Sequence, residues 1–222
     1  MKSFGNLIIL GTSHIAIESV NKVKQLIEEE TPEIIALELD ILRFKKLLSN
    51  RQQNPSLKDL VSGGSVMNTL GAYIEKKLGE KVGMRPGEEM LTAIKLAKKY
   101  KLKIALIDQP IQITFKRLSK NITFKEKFRF VVDILASLIS QKKRIKIDLT
   151  KVPEKNLIKR MIKEVKMRYP NVYKTLIYER NIYMAQQLTQ LLQSNKKILA
   201  IVGAGHEDEL LRLIKWNLQK KK

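Results

Sequence analysis

The chain has 222 residues, no cysteine, and 43 Lys and Arg against 22 Asp and Glu, a formal net charge of +21. The missing thiol excludes disulfides, thiolate metal sites and a cysteine nucleophile, and suits a reducing compartment. The length suffices for one substantial domain with its own core. No apolar run approaches the ~20 residues of a membrane span, and no cleavage site precedes the first strand. Neither a transmembrane segment nor a signal peptide is therefore expected. The expected location is cytoplasmic, with a peripheral membrane position as the alternative.

The charge points to an anionic partner: nucleic acid, anionic lipid or an acidic protein. It is concentrated, with 17 basic and 5 acidic residues from Lys116 to Arg168. The competing reading is a solvated lysine-rich helical surface. The same block can also serve as a homodimer interface. Sequence-specific nucleic-acid recognition is not expected.

In chain order, Asn6–Leu10 reads as a strand and Ile15–Glu30 as an amphipathic helix ended by Thr31-Pro32. Ile34–Leu39 is a short buried strand holding one carboxylate, and Ile41–Leu48 is helical. Residues 50–65 are polar, with Pro55, Gly63 and Gly64, and read as a loop. Helices are expected over 66–78 and 88–100, with a turn at 83–87 between them. The second helix has acids first and lysines last, as its macrodipole favours. Lys103–Ile107 is a third strand. Helical stretches follow at about 112–118, 125–139 and 153–167, then a long helix Val172–Leu192, a strand Lys197–Val202 and a helix Glu207–Leu218.

Strands alternating with helices predict an α/β fold, a mostly parallel central sheet flanked by helices. It forms one domain over 1–222, with a basic helical insertion at about 111–170. Within that insertion, Phe124–Ile139 mixes aromatics with Lys125, Lys127 and Arg129. Such a stretch can lie on a membrane surface; a core helix with basic ends is commoner and is the expectation.

Both histidines sit in the same frame. Gly11-Thr12-Ser13-His14 follows one apolar strand and Gly203-Ala204-Gly205-His206 follows another. Each frame reads as strand, glycine turn, histidine, helix. Ligands of open α/β sheets bind at the carboxyl ends of the strands, so two imidazoles delivered there from distant sequence can share a site. The alternative is a pair of helix-capping polar residues. Glu38 is costly in an apolar strand unless paired or functional. With His14 and His206 it makes a ligand set for a divalent metal with positions left for water; the alternative is an ion pair with Arg43. Asp108 ends its strand on the same edge. Ser13 adjoins His14, but neighbours on a turn seldom face one another, so Ser13 is not favoured as a nucleophile. Glu179-Arg180, on a helix, reads from residue physics alone as surface decoration. The chain has no P-loop, Gly-x-Gly-x-x-Gly, Gly-x-Ser-x-Gly or His-Glu-x-x-His.

Taken together, Gly11–His14, Ala36–Leu39 with Arg43, Arg85–Met90, Ile107–Ile111, Glu179–Ala185 and Val202–His206 are ordered motifs that span nearly the whole chain. In them the chain resembles the TraB/PrgY family, related to the Tiki proteases and to the fold group of erythromycin esterase and the ChaN proteins. The resemblance implies an erythromycin esterase/ChaN-like fold and a site on His14, His206, Glu38, Glu179 and Arg180. It departs at Gln109, where the family usually has arginine, and in lacking the C-terminal membrane region of many members.

The expected function is a metal-dependent hydrolase resembling the Tiki peptidases, acting on a peptide or protein. His14, Glu38 and His206 would hold manganese, cobalt or zinc. Glu179 would orient or deprotonate water, Arg180 or Arg43 would stabilise an oxyanion, and Asp108 and Ser13 would touch substrate. The alternatives are a PrgY-like protein that sequesters a peptide without turnover, and a basic module docking on anionic membrane or nucleic acid.

Overall fold

The computed structural model describes residues 1–13, 17–49, 87–139 and 154–220, with side chains over 134–139 excepted. His14, the expected loop at 50–65 and the expected helix at 66–78 lie outside the described residues.

Five strands form one sheet in the order β1-β2-β5-β3-β4: β1 Lys2–Phe4, β2 Leu7–Thr12, β3 Ile34–Leu37, β4 Lys103–Leu106 and β5 Ile198–Gly203. All neighbours are parallel except β1, which pairs antiparallel with β2. The sequence reading missed β1 as a separate strand. A two-residue turn makes it, with Gly5 at φ 56° in the first central position, the left-handed region that glycine tolerates.

The helices are α1 Ile17–Glu30, α2 Ile41–Leu48, α3 Glu88–Lys99, α4 Ile111–Asn121, α5 Phe124–Ile139, α6 Lys155–Arg168, α7 Pro170–Tyr173, α8 Glu179–Leu192 and α9 Glu207–Gln219. The sheet separates two apolar layers because successive strand side chains point to opposite faces. Ile8, Leu10, Ile35, Leu37, Leu199 and Ile201 pack with α1 and α3. Leu7, Ile9, Ile34, Ala36, Ile198 and Ala200 pack with α8 and α9. Each such Leu or Ile contributes about 1.5–3 kcal/mol of gross burial energy. β5 is covered on both faces, and Ile198 to Val202 are fully buried.

The expected long helix Val172–Leu192 is interrupted. A π-helical turn, Lys174–Tyr178, separates α7 from α8. Such turns are frequent at functional sites, and this one immediately precedes Glu179, Arg180 and Asn181.

The expectation of a core helix at Phe124–Ile139 is corrected over residues 124–133, where side chains are described. Phe124 is 83% exposed and Phe128 64% exposed. The reason is that the polar side chains of α5 turn inward: Glu126 is buried and accepts hydrogen bonds from Thr123 and Asn171.

Candidate functional site

Strand order decides whether the two Gly-x-x-His frames meet. The last strand, β5, is inserted beside β2, with Gly11 opposite Val202 and Thr12 opposite Gly203. The carboxyl ends of β2, β5, β3 and β4 therefore deliver Ser13, His206, Glu38 and Asp108 to one edge. Ala204 N–H donates to the Thr12 carbonyl at 2.8 Å, tying the two frames together. Gly11 lies inside β2, where a Cβ would stand 2.8 Å from Glu207 Oε2 and 3.0 Å from Ala204 Cα. The glycine is needed for close approach rather than for an unusual turn.

Glu38 follows β3 directly and is buried. Its Oε2 accepts from Gly203 N–H at 2.6 Å. Its Oε1 accepts from Arg180 Nη2 and stands 3.3 Å from His206 Nε2. The expected alternative partner, Arg43, goes elsewhere, to Asp40 at 3.2 Å and to Asp108. Asp108 is fully committed. Arg180 binds it through Nε at 3.1 Å and Nη2 at 2.6 Å, Arg43 binds Oδ2, and Gln109 N–H donates to Oδ1 at 2.7 Å.

Arg180 is therefore a partly buried bridge between two carboxylates, not surface decoration. Its Nη1 donates to the Leu176 carbonyl in the π-helical turn at 3.1 Å. Burial alone would lower its pKa, but the charge of Glu38 and the hydrogen bonds of Asp108 outweigh that and raise it. The guanidinium stays charged at every ordinary pH. With its donors on Glu38, Asp108 and Leu176, it holds acids in place rather than facing a developing oxyanion. Glu179, one residue earlier, turns away to Arg117 at 3.1 Å. Arg117 also reaches Gln109 Oε1 at 3.4 Å. Ser13 N–H donates to Ser19 Oγ at 2.9 Å.

Asp40 caps α2. Its Oδ1 accepts from Leu42 and Arg43 N–H at 2.8 and 2.9 Å, and its Oδ2 accepts from Ile111 N–H at 2.9 Å. Burial opposes ionisation, yet these backbone donors and the Arg43 charge hold the carboxyl below the usual carboxylate range.

His206 begins α9, and its Nδ1 lies 2.6 Å from Asn181 Oδ1. Asn181 is fully buried, so the ring cannot swing freely. The contact with Asn181 orients the ring so that its other nitrogen, Nε2, faces Glu38 Oε1. Ligating histidines are commonly oriented in this way through their other nitrogen. Sequence reasoning assigned no role to Asn181, and its signal was its place in the Glu-Arg-Asn run on the helix before the last strand.

The donor set was expected to hold a divalent metal. Two donors about 2.1 Å from one ion at a tetrahedral angle stand about 3.4 Å apart. The 3.3 Å between Nε2 and Oε1 fits that spacing. Among the described residues no group of three His, Asp or Glu side chains is arranged to hold an ion; the third expected ligand, His14, lies outside them. A cleft of about 630 Å3 touches the cluster at Asn181; Leu10, Gly11, Ile158, Ile162 and Gly205 line it together with charged side chains, Lys159, Lys163 and Glu207 among them.

Comparison with known proteins follows the same lines. An uncharacterized protein of Methanocaldococcus jannaschii is 35% identical over 217 residues, covering 95% of this chain and 53% of its own length. A human TraB domain-containing protein is 29% identical over 200 residues, covering 82% of this chain and 51% of its own length. The chain thus spans about half the length of the curated relatives it matches. A solved erythromycin esterase in its open conformation aligns over 90% of this chain and 60% of its own, at 15% identity and a TM-score of 0.31, too low to carry an argument. The TraB/PrgY/gumN family model matches residues 2–211, and the chain belongs to that family.

Proposed function

We propose that the chain is a metal-dependent hydrolase acting on a peptide or protein, with its site at the carboxyl edge of the sheet. The observation that supports this best is His206, held on Nδ1 by Asn181 at 2.6 Å and facing Glu38 Oε1 with Nε2 at 3.3 Å. β2, which leads into His14, is the neighbouring strand. In this reading His206, Glu38 and His14 hold manganese, cobalt or zinc. When bound, such an ion supplies Lewis-acid polarisation of a carbonyl and lowers the pKa of water. Asn181 orients the ring of His206. Arg180 and Gly203 N–H fix Glu38, so it is oriented before substrate arrives. Arg43, the more open of the two cluster arginines, is placed to meet developing negative charge. The apolar walls of the cleft receive substrate side chains.

A second reading is peptide sequestration without turnover. It is favoured by the commitment of both Glu38 oxygens and all of Asp108 to internal hydrogen bonds, which leaves little carboxylate free for chemistry.

Calorimetry with each of the three metals, on wild type beside His14→Ala, His206→Ala and Asn181→Ala, tests the first reading. The expected result is loss of binding in both histidine variants and a weakening of about 10–100-fold in Asn181→Ala. Full affinity in folded His14→Ala and His206→Ala overturns it. Peptide bound without cleavage in the metal-loaded protein selects the second reading.

A further inference from the structure

Over residues 124–133, α5 is built inside out. Its polar side chains are the ones that bind the protein. Glu126 accepts from Asn171 N–H at 2.8 Å and from Asn171 Nδ2 at 3.0 Å. Asp133 accepts from Arg168 Nε at 3.1 Å and pairs with the Tyr169 hydroxyl. Arg129 Nη1 donates to the Arg168 carbonyl at 2.6 Å, and Phe130 meets Tyr169 edge to face. Four of the apolar side chains over 124–133 face outward. Phe124, Phe128, Val131 and Val132 are 83, 64, 53 and 44% exposed. At 100° per residue these four fall within one arc about 100° wide, the width of an ordinary core-facing stripe. On the same wheel Lys127 borders the stripe on one side and Lys125 on the other, and both are exposed.

An outward apolar stripe of this kind marks a surface that meets something other than water. Its rim identifies the partner. From Lys116 to Arg129 there are six basic residues and one acid, Glu126, which is turned inward. A second copy would set those lysines, and a net charge of +21, against themselves. Lysines on both borders can instead run their stems along an acyl layer and keep the ammonium groups at headgroup level. The helix is also too short and too charged to cross a bilayer; among the described residues no helix is long and apolar enough to do so.

We propose that α5 lies flat on an anionic lipid surface, with Phe124 and Phe128 inserted below the headgroups and Lys125 and Lys127 at their level. This surface does not depend on the hydrolase reading.

The test is co-sedimentation of the 222-residue chain with vesicles of phosphatidylglycerol mixed into phosphatidylcholine, and with phosphatidylcholine alone. Wild type is expected to pellet with the anionic vesicles only. Phe124→Ser with Phe128→Ser should weaken that binding about tenfold or more, as loss of buried apolar area demands, with an unchanged circular dichroism spectrum. Phe128→Trp should show a blue-shifted emission, quenched by brominated acyl chains. Equal binding by wild type and the double serine variant overturns the proposal, because lysines elsewhere then suffice. So does a lack of binding at low salt, or a dimer that the serine variant dissociates without any vesicle binding.

Discussion

Two regions of this molecule invert the usual distribution of side chains, in opposite senses. At the carboxyl edge of the sheet, the acidic residues Glu38, Asp40 and Asp108 are buried, and Arg180 is partly buried between two of them. Along α5, phenylalanine and valine are apolar and exposed. The buried region is closed on itself: each carboxylate meets a guanidinium or a backbone N–H. The exposed region is open, because nothing in the described structure covers its stripe. Charge buried against charge is held by its partners and resists change, whereas an uncovered apolar face gains free energy only when a partner arrives. The first arrangement holds its residues in fixed positions, and the second leaves a face to be covered.

The comparison breaks most sharply at Arg180. Arg180→Met leaves Glu38 and Asp108 buried without their shared cation, and should cost about 3–5 kcal/mol in urea unfolding. A loss below 1 kcal/mol would show that the cluster is not a mutually dependent unit.

Asp40 sharpens it. Asp40→Ala removes the α2 cap and a partner of Arg43, and should cost about 1–2 kcal/mol at neutral pH. The folded carboxyl titrates below its unfolded value of about 3.9. Its contribution is therefore complete above that value and is lost as pH falls through the folded one. Wild type and variant should converge in stability in acid; a constant gap down to pH 2 would refute the assignment.

The smallest effect belongs to α5. Phe124→Ser with Phe128→Ser should leave stability within about 0.5 kcal/mol, since exposed positions away from packing contribute little. A loss of several kcal/mol would mean that the stripe is part of the core.

Much of the fold was legible from pattern. The bounds of α2 match the expectation, and α1, α3, α9 and β5 begin within a few residues of where apolar periodicity places them. β1 was not, because three residues with no alternation carry no periodic signal. The π-helical turn was invisible because residues 174–178 hold no glycine or proline to mark a break in the helix. The candidate site was legible as residue types on one edge, in His206, Glu38 and Asp108. Its wiring was not, since Glu38 pairs with a residue 142 positions away rather than with nearby Arg43.

What the sequence determined alone is the class of fold, the charge, the absence of thiol chemistry and the two Gly-x-x-His frames that carry the family resemblance. These follow from composition, local order and short-range periodicity, which need no third dimension. What the tertiary structure decided is adjacency and direction. Inserting β5 between β2 and β3 placed the strand ends of the two frames side by side. The same packing turned Arg180 inward to two acids and turned Phe124 and Phe128 of α5 outward. Neither orientation can be read from spacing, because an amphipathic helix has two faces and only its neighbours choose which one is buried.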